Sequence, residues 1–182
     1  TPPLCLATLR AGYGSYPTGA NDLVQDKSKV AAPVGGVGHY GSMIGIPDFY
    51  INNEGMGNVP GWGGGGAGRC CVLLPRSVTK PVIINVKWRT CDIGHIKFVN
   101  DKAVDHNARC RSEEHETTVP INFAVQPGHG SGLILHFLPG HKVEAWYARK
   151  APENAAYPGP AFPRGPAPRY APLPDEKPQP AR

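Results

Sequence analysis

The stretch KPVIINVKW, residues 80 to 88, decides the fold class of this chain. Every second residue in it is apolar, which places four side chains on one face of an extended segment: Val82, Ile84, Val86 and Trp88. The opposite face carries Ile83, Asn85 and Lys87. This period of two is typical of a half-buried antiparallel strand, so we expect Trp88 to lie in the core.

The same alternation recurs in several further segments. Glycine (23 residues) and proline (21 residues) are both used more than average, which favours short strands joined by turns over helices. We therefore predict a mainly β fold, an antiparallel β-sandwich of about seven strands with long loops and a proline-rich C-terminal tail. Between the strands, GMGNVPGWGGGGAG at residues 55–68 is expected to be a loop. The other strand candidates are GVGHYGSMIGI, DFYINNEG, CVLLP, TTVPINFAV, LILHFL and KVEAWYAR.

A chain of 182 residues fits one domain with a lead-in and a tail. We place an N-terminal strand and turn-rich lead-in at residues 1–36, the β-sandwich at 37–150 and the tail at 151–182. The tail holds ten of the 21 prolines and lacks isoleucine and valine, which predicts an extended strap on the surface. The alternative is a ligand for a proline-binding domain. No window is apolar for long enough to predict a membrane span.

The net charge of +5 is spread along the chain. Nucleic-acid binding needs several cations that converge on phosphates, and a pair such as Arg109 with Arg111 is too small for that. We therefore expect no nucleic-acid partner.

The five cysteines predict disulfides and an oxidising compartment, which for a bacterial protein is the periplasm. None has the spacing of a zinc site, so we expect no metal and no cofactor. A bridge between Cys91 and Cys110 would close the polar segment between them at its base. Cys70 and Cys71 point to opposite faces of a strand, so they need different partners, with Cys5 able to serve one, unless they bond each other. The alternative is that some cysteines are free buried thiols.

No catalytic constellation stands out, and we expect a protein that is not an enzyme. The glycine run at residues 61–68 lacks the Lys-Ser/Thr pair of a phosphate loop. The segment GHGSG, residues 128–132, has glycine where a nucleophile elbow requires serine. Ser131 would need a histidine for a hydrolytic set, but histidines in turns and on strands are more often plain surface residues. The histidines concerned are His129, His136 and His141.

Two segments are candidates for contact with a partner protein. The acidic cluster RSEEHE, residues 111–116, is expected to be a solvated loop that can bind a cation or pair with arginines of a partner. The glycine-rich segment can adapt to a partner and present Trp62, although the same loop can instead pack on its own domain and bury that side chain. The contact candidates are Trp62, Arg69, Arg109, Arg111, Glu113, Glu114 and Glu116.

The order of these segments resembles a known bacterial family. The resemblance lies in a strand around GHY, then DFYINNEGMGN, a glycine run, CCVLLP, VKW and finally LILHFLPGHKVEAWYARKAPENAAYPGP. It covers about residues 37–160, and the family is the domain of unknown function 3304.

Membership would imply an exported protein that binds and inhibits a phospholipase effector of a type VI secretion system, as its periplasmic immunity protein. Such a protein would occlude the active site of the lipase or block its opening. The alternative is an accessory or adaptor lipoprotein of the secretion system without inhibitory activity. Cys5 follows TPPL, which lacks the small residues found before a lipidated cysteine, so any lipid anchor would lie in a leader missing from this sequence.

Overall fold

The computed structural model describes residues 25–64 and 70–175. Twelve strands lie in these residues, and none of these residues is helical. The part of the chain that is described therefore contains no helix that could span a membrane. The strands are β1 (Lys29–Ala32), β2 (Val34–His39), β3 (Ile44–Ile51), β4 (Glu54–Val59), β5 (Trp62–Gly64), β6 (Val72–Pro75), β7 (Ile83–Asp92), β8 (Phe98–Val99), β9 (Lys102–Ala103), β10 (Arg111–Phe123), β11 (Gly132–Leu138) and β12 (Lys142–Ala148).

Eight strands form one sheet in the order β4-β3-β7-β10-β12-β11-β2-β5. Two neighbouring pairs, β10 with β12 and β11 with β2, are parallel, and the other pairs are antiparallel. Two small antiparallel sheets accompany it, one from β1 and β6 and one from β8 and β9. The fold is thus mainly β, as the sequence predicts, but its large sheet is mixed rather than antiparallel.

The large sheet is a nearly closed barrel rather than a sandwich. Its two edge strands, β4 and β5, follow each other in the chain with only Pro60 and Gly61 between them. This connection passes so close to β2 that a side chain at Gly38 would collide with the carbonyl of Pro60. The Gly61 carbonyl accepts hydrogen bonds from the amides of Tyr40 and Gly41, at 2.8 and 3.0 Å. Residues 55–64, predicted as loop, therefore supply the two strands that bring the sheet edges together.

The interior of the barrel is filled by the apolar residues of the alternating patterns. Trp88 is only 3% exposed, which confirms the expected core position. The Phe137 ring meets Phe49 edge-on at 5.4 Å between centroids and lies 5.8 Å from the Trp88 ring. Tight aromatic packing of this kind contributes stability beyond the area that it buries. Val119 and Ile121 of β10 also lie in this core.

The tail is an extended strap that lies on the outer surface of the barrel. Tyr157 is buried, Gly159 lies against Trp146 of β12, and the Phe162 ring lies over Gly63 and Gly64 of β5. Further along, the carbonyl of residue 168 accepts a hydrogen bond from the Ser42 amide at 2.8 Å. These contacts cover the outward faces of β5, β2, β11 and β12.

The strands extend beyond the predicted domain start. The boundary that we placed between residues 36 and 37 lies inside β2, and β1 begins at Lys29. The boundary at residue 150 follows the end of β12 at Ala148.

Candidate functional site

The outer face of β3, β7 and β10 is open and carries rows of charged side chains. The register places Asp48, Arg89 and Glu114 in one row across the three strands, and Tyr50, Lys87 and Glu116 in the next. Arg89 forms an ion pair with Asp48, and the Lys87 Nζ lies 3.6 Å from a Glu116 carboxylate oxygen. Within the described residues Glu114 has no ion pair. Exposed ion pairs of this kind contribute about 0–1 kcal/mol to stability, so these side chains can pair with charged groups of another protein instead.

These rows line a shallow depression of about 500 Å³, which we call the charged face. Trp88, Tyr50 and Asn53 also line it. The segment RSEEHE does not form the predicted solvated loop, because it is the first half of β10. Its residues alternate: Glu114 and Glu116 point outward into the charged face, while His115 is half-buried on the inward side.

A disulfide-closed hairpin extends from the end of the charged face. Cys91 and Cys110 form the disulfide that we expected, and β8 and β9 lie between them. The hairpin turns through Asn100 and Asp101, with φ of 50° and 60°. Two successive residues with positive φ form the tight turn that suits a two-residue hairpin, and Asn and Asp tolerate that conformation well.

The hairpin exposes three apolar side chains. Phe98 is 47% exposed, Val99 61% and Val104 60%. Exposed apolar side chains concentrated in one short polar segment mark interaction sites more often than single exposed ones do. Phe98 and Val99 are successive residues of β8, so they present apolar side chains on both faces of the hairpin. Phe98, Val99 and Val104 are here called the hairpin tip.

The base of the hairpin is held by the tail. The Asp92 carboxylate accepts hydrogen bonds from the Tyr170 hydroxyl at 2.9 Å and from the Gly94 amide at 2.7 Å. This contact raises the pKa of Tyr170, because the neighbouring carboxylate disfavours a phenolate. The Arg169 guanidinium donates to the Gly94 carbonyl at 3.3 Å. The hairpin is thus fixed to the barrel by a covalent bond and by side chains of the tail.

A second group of polar side chains lies at the mouth of the barrel, above Trp88. The Glu113 Oε2 lies 4.0 Å from the His115 Nε2 and 3.9 Å from the His141 Nε2. The two imidazole rings stack with centroids 3.9 Å apart and an angle of 18°. The pKa of His115 is lowered by burial and, to a smaller extent, by His141, which favours the neutral form of its ring.

The remaining contact candidates lie in different places. Arg109 and Arg111 are exposed, Arg109 beside the hairpin and Arg111 at the start of β10. Trp62 is half-buried in β5, opposite His39, and its buried Nε1 has no hydrogen-bond partner within the described ranges. Arg69 and Cys5 lie outside the described residues. Cys70 and Cys71 bond each other, which was one of the two arrangements that we considered.

His136 is a buried structural residue rather than part of a hydrolytic set. It is 0% exposed, its Nδ1 lies 3.0 Å from His39 Nε2, and its Nε2 lies 2.8 Å from the Tyr157 hydroxyl. The Ser131 hydroxyl donates instead to the Ala148 carbonyl at 3.1 Å. Burial, and then the neighbouring His39, lower the pKa of His136 to about 3.

This pKa predicts that acid destabilises the fold. Between about pH 6.5 and about pH 3 the unfolded chain binds a proton at His136 that the folded chain does not. The free energy of unfolding should therefore fall by about 1.4 kcal/mol for each unit that the pH drops in this window. The neighbouring His39 also has a pKa lowered by burial, and the Glu144 carboxylate partly offsets that lowering.

Urea unfolding of the wild type and of His136→Gln at several pH values in this window would measure the effect. The variant should be less stable near neutral pH but should lose less stability on acidification. Parallel pH profiles of the two proteins would show that His136 is not responsible.

Sequence patterns could reveal part of this site. The outward position of Lys87 follows from the alternation in residues 80–88, and Glu114 and Glu116 share one strand face. Asp48, Tyr50 and Arg89 were missed, because their proximity depends on the pairing of three strands that are distant in sequence. The hairpin tip was missed because isolated valines in a polar segment give no strand pattern.

A family model matches the part of the chain that carries the charged face and the hairpin. The model of a family described as a protein of unknown function, DUF3304, matches residues 41–145, which include β3 to β11, the charged face and the hairpin. The chain belongs to the DUF3304 family. No curated protein and no solved structure matches it. The DUF3304 match includes the three side chains at the mouth of the barrel, Glu113, His115 and His141, and ends before Tyr157 of the strap.

Proposed function

We propose that this DUF3304 protein binds a partner protein and that the partner is a phospholipase effector of a type VI secretion system, which it inhibits as a periplasmic immunity protein. The kind of partner follows from the family resemblance of the sequence segments. The surface chemistry supports the binding role, and the observation that carries it is the hairpin tip.

The hairpin tip has the composition of an interface anchor. Binding energy in protein complexes concentrates on a few apolar or aromatic side chains that become fully buried, surrounded by polar contacts that exclude water. Phe98 is the exposed aromatic side chain of the hairpin tip, and the two valines add apolar surface to the same hairpin. The exposed Arg109 and Arg111 supply polar groups near the base of the same hairpin.

Fixing the hairpin lowers the cost of binding. A free loop loses conformational entropy when a partner orders it, whereas a segment closed by a disulfide has lost most of that freedom beforehand. The Cys91–Cys110 bond and the contacts of Asp92 with the tail hold the hairpin in one position. A rigid projection is suited to enter a cleft and occlude it.

The charged face suits selection of a partner. Rows with charges of both signs give a pattern that only a complementary surface can match, and mismatched charges cost several kcal/mol. Glu114 lacks an ion pair among the described residues and would attract a cationic side chain of the effector. Two disulfides are compatible with an oxidising compartment such as the periplasm.

The test is a titration of the oxidised chain into type VI phospholipase effectors of the same organism, with binding and lipase activity followed together. Stoichiometric loss of activity is the expected result. Binding with full activity would instead support the adaptor lipoprotein, and failure to bind would refute both roles.

Within that assay, Phe98→Ala should weaken effector binding by at least about tenfold, because truncation of a central anchor costs about 2 kcal/mol or more. Leu73→Ala is the matched control, since Leu73 is an exposed apolar residue of β6, outside the hairpin and the charged face. Equal affinity of the two variants would exclude the hairpin tip as the anchor. Thermal unfolding of both would check that the fold is intact.

A further inference from the structure

We propose that the mouth of the barrel binds one divalent transition-metal ion of the zinc type through Glu113, His115 and His141. The three side chains offer one ligand atom each, and all three atoms lie within 4.8 Å of one another. The proposal is independent of the effector, because it concerns the chain alone.

The donor set matches the chemistry of such an ion. Two imidazole nitrogens with one carboxylate oxygen form one of the common ligand sets of zinc, in which a fourth position stays open to water. Imidazole nitrogen favours zinc, nickel, cobalt and copper, whereas calcium and magnesium prefer oxygen ligands alone. The site should therefore discriminate against calcium and magnesium.

The backbone presents the three ligands from rigid elements. Glu113 and His115 are two residues apart on β10, so both side chains point to the same side of the strand. His141 occupies the turn between β11 and β12 with φ of 56°, a conformation that fixes its position opposite β10. Ligand atoms of a tetrahedral zinc ion lie about 3.3–3.5 Å apart. The distances from Glu113 to the two histidines, 4.0 and 3.9 Å, would have to shrink by about half an ångström, and the distance between the other two ligand atoms, which lies within 4.8 Å, by at most about 1.5 Å.

His141 has the outer contact that metal-bound histidines usually make. The His141 Nδ1 lies 3.3 Å from the Tyr40 hydroxyl, whose oxygen also accepts a hydrogen bond from the Trp88 indole at 3.2 Å. When Nδ1 donates its proton to that oxygen, the lone pair of Nε2 faces Glu113. A partner on the far ring nitrogen is the usual way in which proteins set the tautomer of a metal ligand.

On His115, by contrast, Thr90 contacts the nitrogen that would bind the metal. Its hydroxyl lies 3.0 Å from the His115 Nε2 and 3.5 Å from the Glu113 carbonyl. A metal ion at Nε2 would release the hydroxyl from the ring, and the carbonyl would remain as its acceptor. The Glu113 and His141 side chains are exposed, so an ion can enter from solvent without a change of fold.

The experiment uses the untagged, oxidised chain, stripped with a chelator and titrated with zinc chloride in a calorimeter. One ion per chain, bound at micromolar concentration or tighter, is expected. Cobalt chloride supplies a second readout, because four-coordinate cobalt with histidine ligands gives intense visible absorption that a six-coordinate hydrated ion lacks.

Two variants test the ligands, and a third is the control. Glu113→Gln keeps the shape of the side chain, and His141→Asn keeps a residue that tolerates positive φ, so both should fold. Each should weaken zinc binding by at least about tenfold. His129→Asn removes an exposed histidine from another turn and should change nothing. Absence of zinc binding, or binding that the two ligand variants leave unchanged, would overturn the proposal.

Discussion

Replacing Tyr157 by alanine is expected to lower the free energy of unfolding by about 3–5 kcal/mol, the usual cost of truncating a buried aromatic side chain. Tyr157 belongs to the strap, yet it is buried against the barrel and its hydroxyl lies 2.8 Å from His136 Nε2. The substitution would leave a cavity and would also leave a buried imidazole without its partner, which adds to the cost. Chemical denaturation of both proteins measures the difference.

Tyr157→Phe separates these two contributions. The ring stays and only the hydroxyl is lost, so the expected cost is about 1–3 kcal/mol, that of an unsatisfied buried polar group. Substitution of the exposed Tyr170 by alanine provides a comparison for loss of an aromatic residue from the same tail. If Tyr157→Ala cost no more than Tyr170→Ala, the strap would not be part of the folded core.

Removal of the Cys91–Cys110 disulfide by a double serine substitution should cost about 3 kcal/mol. The two cysteines are 19 residues apart, and the bond restricts the unfolded chain over that whole loop. The same variant should bind the proposed effector more weakly, since its hairpin would have more freedom to lose on binding. Equilibrium unfolding and a binding titration measure the two effects.

The neighbouring Cys70–Cys71 disulfide offers a matched control. It joins adjacent residues, so it closes almost no loop, and the loop-entropy argument predicts a far smaller loss of stability from its removal. A similar loss of stability from both double substitutions would contradict that argument.

The strands with an alternating apolar pattern were predictable because that pattern is local, whereas residues 55–64 and 111–116 lack it and were wrongly predicted as loops. Alternation in residues 80–88 located a half-buried strand with Trp88 inside. The composition also predicted the extended strap, since proline prevents regular helix and sheet hydrogen bonding.

The arrangement of the strands was not predictable in the same way. Alternation tells which side of a strand is buried but not which strand lies beside it, so a sandwich and a rolled sheet have the same pattern. The parallel pairing of β2 with β11 joins segments about a hundred residues apart, Val34 opposite Leu133. No local signal encodes such a contact.

The candidate sites show the same division. The spacing of Glu113 and His115 on one strand is visible in the sequence, once that segment is known to be a strand rather than a loop. The approach of His141 depends on how β12 packs beside β10, and the burial of His136 depends on a strap residue 21 positions away. Both histidines look like ordinary surface residues until these long-range contacts are known.

The parallel pairing of β2 with β11 has a consequence for how the chain folds as it leaves the ribosome. β2 can pair with β5 early, but its other edge stays uncovered until residues 132–138 of β11 have emerged. One edge of β10 likewise stays uncovered until β12 has emerged. Uncovered strand edges are templates for association with other chains. Premature termination before residue 132 would therefore release a fragment in which β2 and β10 each have an uncovered edge. Such a fragment would be prone to aggregate, so chaperones or proteases would act on the incomplete chain rather than on the finished barrel.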